Sequence, residues 1–477
     1  MANISENLST VKQSLIDIKN AIIDKGVTPT GNITTYAEAI DQLCLCGETI
    51  EGTELCIENV GSSGTFSVTS FNGSATNFPN LQLKLNNGEW FTYDFSVGGT
   101  TAVTIKTGDK LFLRGDNPNG FSSSIINSFT INCTFNFNLS GYLTSLISTT
   151  DFNTITDIPN YSFMRLFHDQ KTLQNTKDLI TDNIINVGYS SFHDCFSDCT
   201  LLVNAQQFNN VVSVGENGFR SCFSNCNKLI LVPTFENLVS VGENGFTYTF
   251  LDCQTLVNAP KFQGLTTINE HGFYGTFRAC QALKNAPTFE SLTTLLGQEV
   301  FNECFQECIS LETAPNFNNI EVANFNDFGY CFKGCTSLVN APQFNNIKTA
   351  ERTSFGHCFS GCTSLKNPPQ FSSLEEAKNA CFYYCFEGCT SLLNTPTFPN
   401  LTNVTYYDES YTFKYCFQGC SKLQVIYTPN IATWDENAFD NWVNGVASTG
   451  VLFKSETLEI PTGVNGIPDG WTTIIKN

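Results

Sequence analysis

Residues 328–344, FGYCFKGCTSLVNAPQF, contain the motif that decides the fold of this chain. The marker F-x-x-C/T-F-x-x-C, followed three residues later by Leu, recurs along more than half of the sequence. Its final Cys recurs at spacings of 27, 27, 27, 28, 27, 27, 27 and 31 residues, at Cys199, Cys226, Cys253, Cys280, Cys308, Cys335, Cys362, Cys389 and Cys420. A fixed period of this length indicates stacked supersecondary units and not a single globular core.

Within one unit, the apolar residues of the marker follow the spacing i, i+3, i+4 and i+7. Phe328, Cys331, Phe332 and Cys335 have this spacing, which predicts that they share one face of a short helix. A glycine such as Gly334, two residues after the second Phe, suits a helix that ends quickly. The Pro that follows rules out an ordinary central antiparallel strand, so each unit is predicted to contain one short helix and one or two short strands.

The stretch from Cys331 to Phe344, C-F-x-G-C-T-S-L-x-N-A-P-x-F, resembles the BspA-type leucine-rich repeat. A degenerate first copy has its apolar residues at Phe163, Leu166, Phe167 and Leu173, with Gln170 in the place of the final Cys. The resemblance implies a leucine-rich-repeat solenoid of about ten units, each of ~27 residues, over residues 151–425. It also implies a bacterial surface or secreted protein that carries an export signal.

The chain of 477 residues has a formal net charge of −20, which argues against nonspecific binding to nucleic acid or to an anionic membrane. No stretch approaches about 18 apolar residues, so no membrane insertion is expected. The first residues, MANISE, lack a basic region followed by an apolar run, so we expect no signal peptide. The sequence therefore predicts synthesis in a host bacterial cytoplasm.

The 21 cysteines could bind a metal, form disulfides or pack as small buried hydrophobes. Cysteines at i and i+4 of a helix, such as Cys304 and Cys308, have Cβ atoms about 5–6 Å apart, too far for a disulfide. Zinc needs four convergent ligands, yet two units replace the first Cys of the marker with Thr249 and Thr276. We expect the nine final cysteines of the marker to form a structural core ladder, with no metal site and no cofactor.

The first 46 residues are predicted to form a helical anchor or coiled coil. Apolar residues spaced 4-3-4-3-4 form a heptad seam at Ile4, Leu8, Val11, Leu15, Ile18 and Ile22. So short a seam is marginal without a packing partner, so it predicts particle attachment or oligomerisation. A single amphipathic helix folded back on the next domain is the alternative.

Residues 18–40 resemble the N-terminal segment of many bacteriophage tail and fibre proteins, through IKNAI at 18–22 and YAEAI at 36–40. This resemblance implies a virion protein that contacts other virion proteins through its N-terminus. It further implies a homo-oligomer, with a trimer favoured by analogy to phage fibres.

Two further domains complete a predicted α+β multidomain chain. Residues 47–150 show strand alternation at 81–85 and 130–135 and a hairpin turn at 86–88, which predicts a β-sandwich. We interpret it as a spacer, with a carbohydrate-binding-like module as the alternative. Residues 426–477 leave the repeat and are predicted to cap the open end of the solenoid. A binding tip whose Trp residues stack on sugars is the alternative.

The chain has four histidines, and none belongs to a metal or catalytic motif. With no nucleophile elbow and no phosphate-binding loop either, we expect no enzyme. The candidate ligand face is instead the polar residue between Pro and Phe, which recurs as Gln207, Thr234, Lys261, Thr288, Asn316, Gln343, Gln370 and Thr397. The Asn before Ala-Pro, as at Asn340, is interpreted as structural because its side chain can bond to the next turn.

Together these patterns predict a phage virion protein, in which the array of a fibre or receptor-binding appendage binds a host-surface glycan or protein. A head fibre, collar or decoration protein with no receptor role is the first alternative. A bacterial BspA-type surface adhesin is the second, and a carbohydrate-active enzyme is the third.

Overall fold

The computed structural model describes residues 54–73, 75, 77–95, 102–404, 411–435 and 437–476. Within these ranges there is no α-helix, and the helical elements are two short 3₁₀ helices, Phe71–Gly73 and Leu143–Leu146. The predicted α+β class is therefore wrong, because the described chain consists of strands and turns. The predicted helical anchor or coiled coil over residues 1–46 lies outside the described residues.

Eight strands occupy the region before the repeats. They are β1 (Leu55–Asn59), β2 (Gly64–Ser70), β3 (Gln82–Leu85), β4 (Phe91–Thr92), β5 (Val103–Ile105), β6 (Lys110–Arg114), β7 (Phe129–Cys133) and β8 (Phe137–Tyr142). Strands β8, β1, β6, β3 and β4 form one sheet in that order, and β5, β2 and β7 form a second. Tyr93 connects the two sheets. Its ring packs edge-to-face on Phe66 of β2 at 5.9 Å, and its hydroxyl accepts the Val68 N–H at 3.0 Å.

The repeats then contribute strands, nearly all of two residues, most of which pair in parallel with the equivalent strand one repeat later. The strands of this region are β9 (Asp157–Ile158), β10 (Leu173–Ile180), β11 (Asn186–Val187), β12 (Ser213–Val214), β13 (Ser240–Val241), β14 (Thr267–Ile268), β15 (Thr294–Leu295), β16 (Val322–Ala323), β17 (Thr349–Ala350), β18 (Glu376–Ala377) and β19 (Asn403–Val404). Strand β9 and strands β11–β15 form one sheet, and β16–β19 form another. The array thus has two separate strand ladders in the part of the chain that is described.

The marker segment is a run of four-residue turns, and this corrects the predicted helix. The N–H of Cys195 donates to the carbonyl of Phe192 at 3.1 Å, three residues back, whereas the N–H of Phe196 donates to the carbonyl of Cys222 in the next repeat at 2.8 Å. Every fourth residue takes a left-handed backbone conformation, with φ of 54° at Asp194 and 61° at Asp198. A four-residue period places positions 0, 3, 4 and 7 on one side, as an α-helix does, so the apolar spacing fits both structures.

The glycines that suit a helix end have a different role in the structure. Gly334 and Gly361 both have φ of 75°, and they occupy the left-handed position of the second turn. A residue without a Cβ takes this conformation with little strain. The glycine is therefore part of the repeating turn and does not end a helix.

The sandwich and the array are joined by backbone pairing. Strand β10 pairs in parallel with β8 of the sandwich, so the first repeat adds the edge strand to that sheet. Asn175 of β10 forms a bridge with Asn204 of the next repeat, and Asn204 forms one with Leu231. Residues from Glu54 onward consequently form one compact unit.

The core of the array consists of in-register columns of phenylalanine. Phe305, Phe332 and Phe359 are fully buried, and successive rings stack at 5.3 and 5.4 Å with interplanar angles of 8° and 3°. Burying each ring contributes about 1.5–3 kcal/mol, and each ring pair contributes about 0.5–1.5 kcal/mol more. The high Phe content of the chain is therefore explained by a core that repeats along the solenoid axis.

The C-terminal region continues the columns of the array. Its strands are β20 (Val425–Tyr427), β21 (Val451–Ser455) and β22 (Thr472–Lys476), which pair in parallel. Phe439 stacks on Phe413 of the last marker at 4.9 Å, and the N–H of Phe417 donates to the carbonyl of Trp442 at 2.8 Å. Trp442 is 2% exposed and its indole donates to the Gly466 carbonyl at 3.1 Å. The inward-facing side chains of Phe439 and Trp442 thus pack against the last repeat.

Candidate functional site

Each marker displays two surface positions, one in each four-residue turn. We call them the first turn position, two residues after the first Phe, and the second turn position, two residues after the second Phe. Asp194 and Asp198 hold these positions in an early repeat, and Tyr330 and Gly334 hold them in a later one. The Phe and Cys residues between them point into the core, so these positions can change without repacking it.

The final Cys of each marker is buried and hydrogen-bonded to the preceding repeat. Cys335 Sγ donates to the Phe305 carbonyl at 3.1 Å, and all nine final cysteines make the equivalent contact at 3.0–3.2 Å. Burial raises the pKa of the Cys362 thiol to about 12, so this thiol stays protonated and able to donate. The 19 cysteines in the described ranges are all buried and unpaired with one another, so the ladder is part of the packing.

Two threonines replace the first Cys of the marker, and their contacts show what this position requires. Thr249 Oγ1 donates to the Phe219 carbonyl at 2.8 Å, and Thr276 Oγ1 donates to the Phe246 carbonyl at 2.9 Å. Both side chains are fully buried. The position therefore takes a small buried side chain, and where it is Thr the hydroxyl donates to the backbone of the preceding repeat.

The histidines of the described chain lie in or beside the turns, and His271 pairs with Glu299, with 3.2 Å between Nε2 and Oε2. His357 stacks between Tyr330 and Tyr384, and burial lowers its pKa to about 4. Burial also lowers the pKa of His168 and of His193. No group of three His, Cys, Asp or Glu side chains there could hold a metal ion. No helix among the same residues has the length and apolar character needed to cross a bilayer.

The candidate ligand face divides into buried and exposed members. Gln207 is half-buried and its Oε1 accepts the hydroxyl of Thr234 at 2.7 Å, while Gln370 Oε1 accepts the hydroxyl of Thr397 at 2.5 Å. Gln343, also half-buried, accepts the N–H of Gln370 at 3.2 Å. The exposed members are Lys261, Thr288 and Asn316, in three consecutive repeats. The ladder is thus internally bonded at both ends and open to ligand at its centre.

The recurring Asn side chains form rungs beside this face. Asn204 Nδ2 donates to Asn175 Oδ1 at 2.6 Å, and Asn285 Nδ2 donates to Asn258 Oδ1 at 2.9 Å. These amides connect neighbouring repeats through each other's side chains. The partner differs from the expected backbone of the next turn, but the role is structural.

Residues absent from the predicted site form a surface row on the later repeats. At the first turn position, aromatic side chains occur in four successive markers, and we call this set the aromatic column: Tyr330, His357, Tyr384 and Tyr415. Consecutive rings lie 4.7, 4.8 and 4.5 Å apart with interplanar angles of 9°, 10° and 18°. The recurrence of an aromatic residue directly before the first Cys is the sequence signal for this column.

Two open clefts lie at opposite ends of the array. One, of about 450 Å³, is lined by residues that include Asn183, Ile185 and Val212. The other, of about 480 Å³, lies between Thr397 and Tyr427, where the last repeats meet the C-terminal sheet. One face of the Tyr427 ring is covered by Phe453, which stacks on it at 5.1 Å, and Lys476 Nζ lies 5.6 Å from the ring centroid.

Comparisons with known proteins give one family model and two similar solved structures. The family model described as the BspA-type leucine-rich repeat region matches in six copies, over residues 142–304, 247–387 and 329–448. A leucine-rich repeat protein from Bacteroides ovatus ATCC 8483 is 19% identical, with a TM-score of 0.28 over 67% of this chain and 88% of that one. A leucine-rich cell surface protein from Faecalibacterium prausnitzii A2-165 is 18% identical, with a TM-score of 0.29 over 67% and 90%.

A search of curated proteins gives no match. The family model alone covers more than half of the sequence, and the in-register Phe and Cys columns follow its repeat. The chain belongs to the BspA-type leucine-rich-repeat family.

Proposed function

We propose that this chain is a non-enzymatic binding protein that recognises a host-surface glycan or protein along its repeat array. The observation that carries the proposal is the contrast between constant core columns and changeable surface positions. Phe305 and Phe332 stack in register at 5.3 Å, while the first turn position beside them changes from Glu303 to Tyr330. Solenoids of this kind use such surfaces to bind extended ligands.

The centre of the polar ladder is the first surface that we propose for ligand contact. Lys261, Thr288 and Asn316 are exposed in consecutive repeats and lie on one side of the array. Their side chains offer one cation, one hydroxyl and one amide. Such a row suits a polar ligand that lies along the solenoid axis and contacts several repeats at once.

Two carriers of this binding array are compatible with the chain. The resemblance of residues 18–40 to phage tail and fibre proteins favours a virion appendage, with host attachment as its purpose. Membership of the BspA-type family favours a bacterial surface adhesin instead. Mass spectrometry of purified phage particles and of surface-labelled bacterial cells from the same culture distinguishes the two carriers. Peptides of this chain should be enriched in the particles if it is a virion appendage and in the labelled cell surface if it is an adhesin.

The binding proposal is tested with the full chain on a printed array of bacterial envelope glycans and on immobilised envelope proteins. A triple variant, Lys261→Ser, Thr288→Ser and Asn316→Ser, should bind its target at least about tenfold more weakly if the ladder contributes about 1.4 kcal/mol. The matched control is Lys228→Ser, an exposed lysine elsewhere on the array. Absence of binding by the unmodified chain to every glycan and protein tested contradicts the proposal.

A further inference from the structure

The aromatic column occupies positions where the fold itself favours other residues. The backbone φ is 56° at Tyr330, 54° at His357, 51° at Tyr384 and 55° at Tyr415. Left-handed backbone is uncommon for residues other than Gly, Asn and Asp, and it costs about 1–2 kcal/mol per residue. Earlier repeats hold the same position with varied residues, among them Asp194, Ser221 and Tyr248.

Stacking between the rings offsets part of this strain, at about 0.5–1.5 kcal/mol for each pair. It does not explain why aromatic residues occur in four successive repeats, because the buried Phe columns already hold those repeats together. Strained residues that are clustered on a surface point toward a function for that surface.

The surroundings of the column form a shelf beside the rings. The second turn position is glycine in the same four repeats, at Gly334, Gly361, Gly388 and Gly419. A Cβ placed on Gly388 would meet only the backbone of Gly361, at 3.9 Å, so the strip between neighbouring side chains is bare backbone. On the other flank, Tyr383 lies edge-to-face against Tyr384 at 4.5 Å. The column therefore has an open strip on one side and another aromatic ring on the other.

The column is uncharged at neutral pH. Burial holds the pKa of His357 at about 4 and raises the pKa of Tyr384 to about 12. Two lysines lie over rings at the ends of the column: Lys333 Nζ is 5.2 Å from the Tyr330 ring centroid, and Lys414 Nζ, which is paired with Asp440 at 3.0 Å, is 5.3 Å from the Tyr415 centroid. In most of the earlier repeats the second turn position carries an acid instead, as at Asp198 and Asp252.

The backbone beside the column cannot take a peptide as an added strand. The N–H of Tyr384 donates to the Lys414 carbonyl at 3.1 Å, and the N–H of Gly361 donates to the Glu387 carbonyl at 2.7 Å. These groups pair repeats with each other and are not an open sheet edge. The accessible chemistry is therefore ring edges, phenol hydroxyls and glycine backbone. A glycan matches these groups, since its C–H groups can contact the ring edges and its hydroxyls can form hydrogen bonds with the phenol hydroxyls and the glycine backbone.

We propose that the aromatic column and the glycine strip beside it bind a neutral glycan chain that lies along the solenoid axis. This inference rests on the proposed binding function and deepens it, because it names the ligand class and a second contact surface. The step from ring to ring, 4.5–4.8 Å, presents one contact group per repeat to a ligand that itself repeats.

The test uses the full chain and a printed array of neutral and acidic glycans. The double variant Tyr384→Asn and Tyr415→Asn removes two rings but keeps residues that tolerate left-handed backbone. The control Tyr248→Asn makes the same change at the first turn position of an earlier repeat, where φ is 54°. Thermal unfolding of all three chains, compared in parallel, establishes that they are folded.

We expect the unmodified chain and the control to bind neutral glycans with equal affinity. The double variant should bind them at least about tenfold more weakly, because it loses two ring contacts that together contribute roughly 1.4 kcal/mol. Neutral-glycan binding that survives the double variant overturns the inference. If that binding falls only in the polar-ladder variant, the proposed function stands without this site. Binding to acidic glycans or proteins alone also overturns the inference, and no binding at all overturns both proposals.

Discussion

The early and late repeats share one core but differ in their strands and surfaces. The phenylalanine stack crosses between them without interruption, from Phe277 to Phe305 at 5.5 Å and on to Phe332 at 5.3 Å. The strand ladder does not, since β15 ends one sheet and β16 begins the next. The residue before each strand also changes character. Val239 is 42% exposed in an early repeat, whereas Lys348 of a late repeat pairs with Glu321 at 2.9 Å.

The break coincides with the repeat of 28 residues. Leu295 and Phe301 are six positions apart, whereas Ile268 and Phe273 in the preceding repeat are five apart. The extra residue lies where Gly297 takes a φ of 102°. The marker turns remain paired from repeat to repeat across the insertion, as in the bond from the Phe301 N–H to the Asp327 carbonyl at 2.8 Å. These stacked turns, which we call the turn column, and not the strand ladder, therefore hold the array together.

Asp327 compensates for the extra residue at this junction. It is fully buried, and its carboxylate accepts the N–H of Val300 at 3.1 Å and the N–H of Asn324 at 2.7 Å. In ordinary repeats the residue at the place of Val300 donates three residues back, as Gly272 does to Asn269 at 3.0 Å. The acid thus satisfies a backbone group that the insertion leaves without its usual partner.

The largest expected effect comes from removing a core ring in either half. Phe328→Ala and Phe246→Ala, at equivalent fully buried positions, should each destabilise the chain by about 3–5 kcal/mol because both the burial and the stack are lost. The check is the urea midpoint of unfolding followed by tryptophan fluorescence. A small effect in only one half would show that the core is not shared.

Replacing Asp327 should have the next largest effect. Asp327→Ala leaves two buried N–H groups without a partner, which costs about 1–3 kcal/mol of unfolding free energy. Ser354→Ala is the matched control, since the Ser354 hydroxyl at the same place one repeat later has no partner among the described residues. Equal losses in the two variants would contradict the role given to Asp327.

The same residue predicts a pH dependence. Burial raises the pKa of Asp327 to about 7, against the lowering by its backbone N–H donors. Its folded-state pKa lies above the unfolded value, so the folded chain holds the extra proton. This contribution to stability is complete below about pH 4 and is lost as the pH rises through about 7. The unfolding free energies of the chain and of Asp327→Asn, measured from pH 4 to 8, should diverge over this window. Parallel curves would contradict the predicted contribution of the Asp327 proton.

A smaller effect is expected at the second turn position, where the two halves use different residues. Gly361→Ala should destabilise by about 1–2 kcal/mol, because the φ of 75° is unfavourable for alanine while its Cβ would have space. The reverse change, Ala279→Gly at φ of 60°, should stabilise the chain slightly. Differential scanning calorimetry measures both. Melting shifts of the same sign would refute the account of this position.

The smallest predicted effect concerns the Cys/Thr position. Thr249→Val keeps the volume but removes the hydroxyl that donates to the Phe219 carbonyl, which should cost about 0.5–1.5 kcal/mol. Thr249→Cys is the control and should be nearly neutral, since Cys holds this position in other repeats. If Thr249→Cys proved the more damaging change in urea unfolding, the role given to the Thr249 hydroxyl would be wrong.

The repeat period and the buried Phe and Cys columns could be read from the sequence because the same chemistry recurs at the same interval. The type of backbone could not be read in this way. Phe192, Cys195, Phe196 and Cys199 share one face both in an α-helix and in a run of four-residue turns, so their spacing does not distinguish the two. Residues that tolerate left-handed backbone, Asp, Asn and Gly, recur at the second turn position. That recurrence is the signal that distinguishes the two structures.

The candidate site was less accessible to sequence reasoning. Whether Gln207 or Lys261 is open to ligand depends on the neighbouring rung, such as the bond from Thr234 to Gln207. The sequence of a single repeat does not reveal whether its side chain is bonded to the neighbouring repeat. The sequence does not reveal the aromatic column, because Tyr384 lies inside the marker and the apolar spacing predicts a core-packed helix for the whole marker.

The most direct test of the shared core is amide hydrogen exchange across the insertion, followed by mass spectrometry of the full chain. The N–H groups of Glu303, Phe305 and Glu307 donate to the next repeat at 2.9, 2.8 and 2.7 Å. We predict that the peptide spanning residues 299–308 exchanges as slowly as residues 246–253 of an early repeat. Rapid exchange of residues 299–308 beside a protected early repeat would contradict a turn column that is continuous through the array.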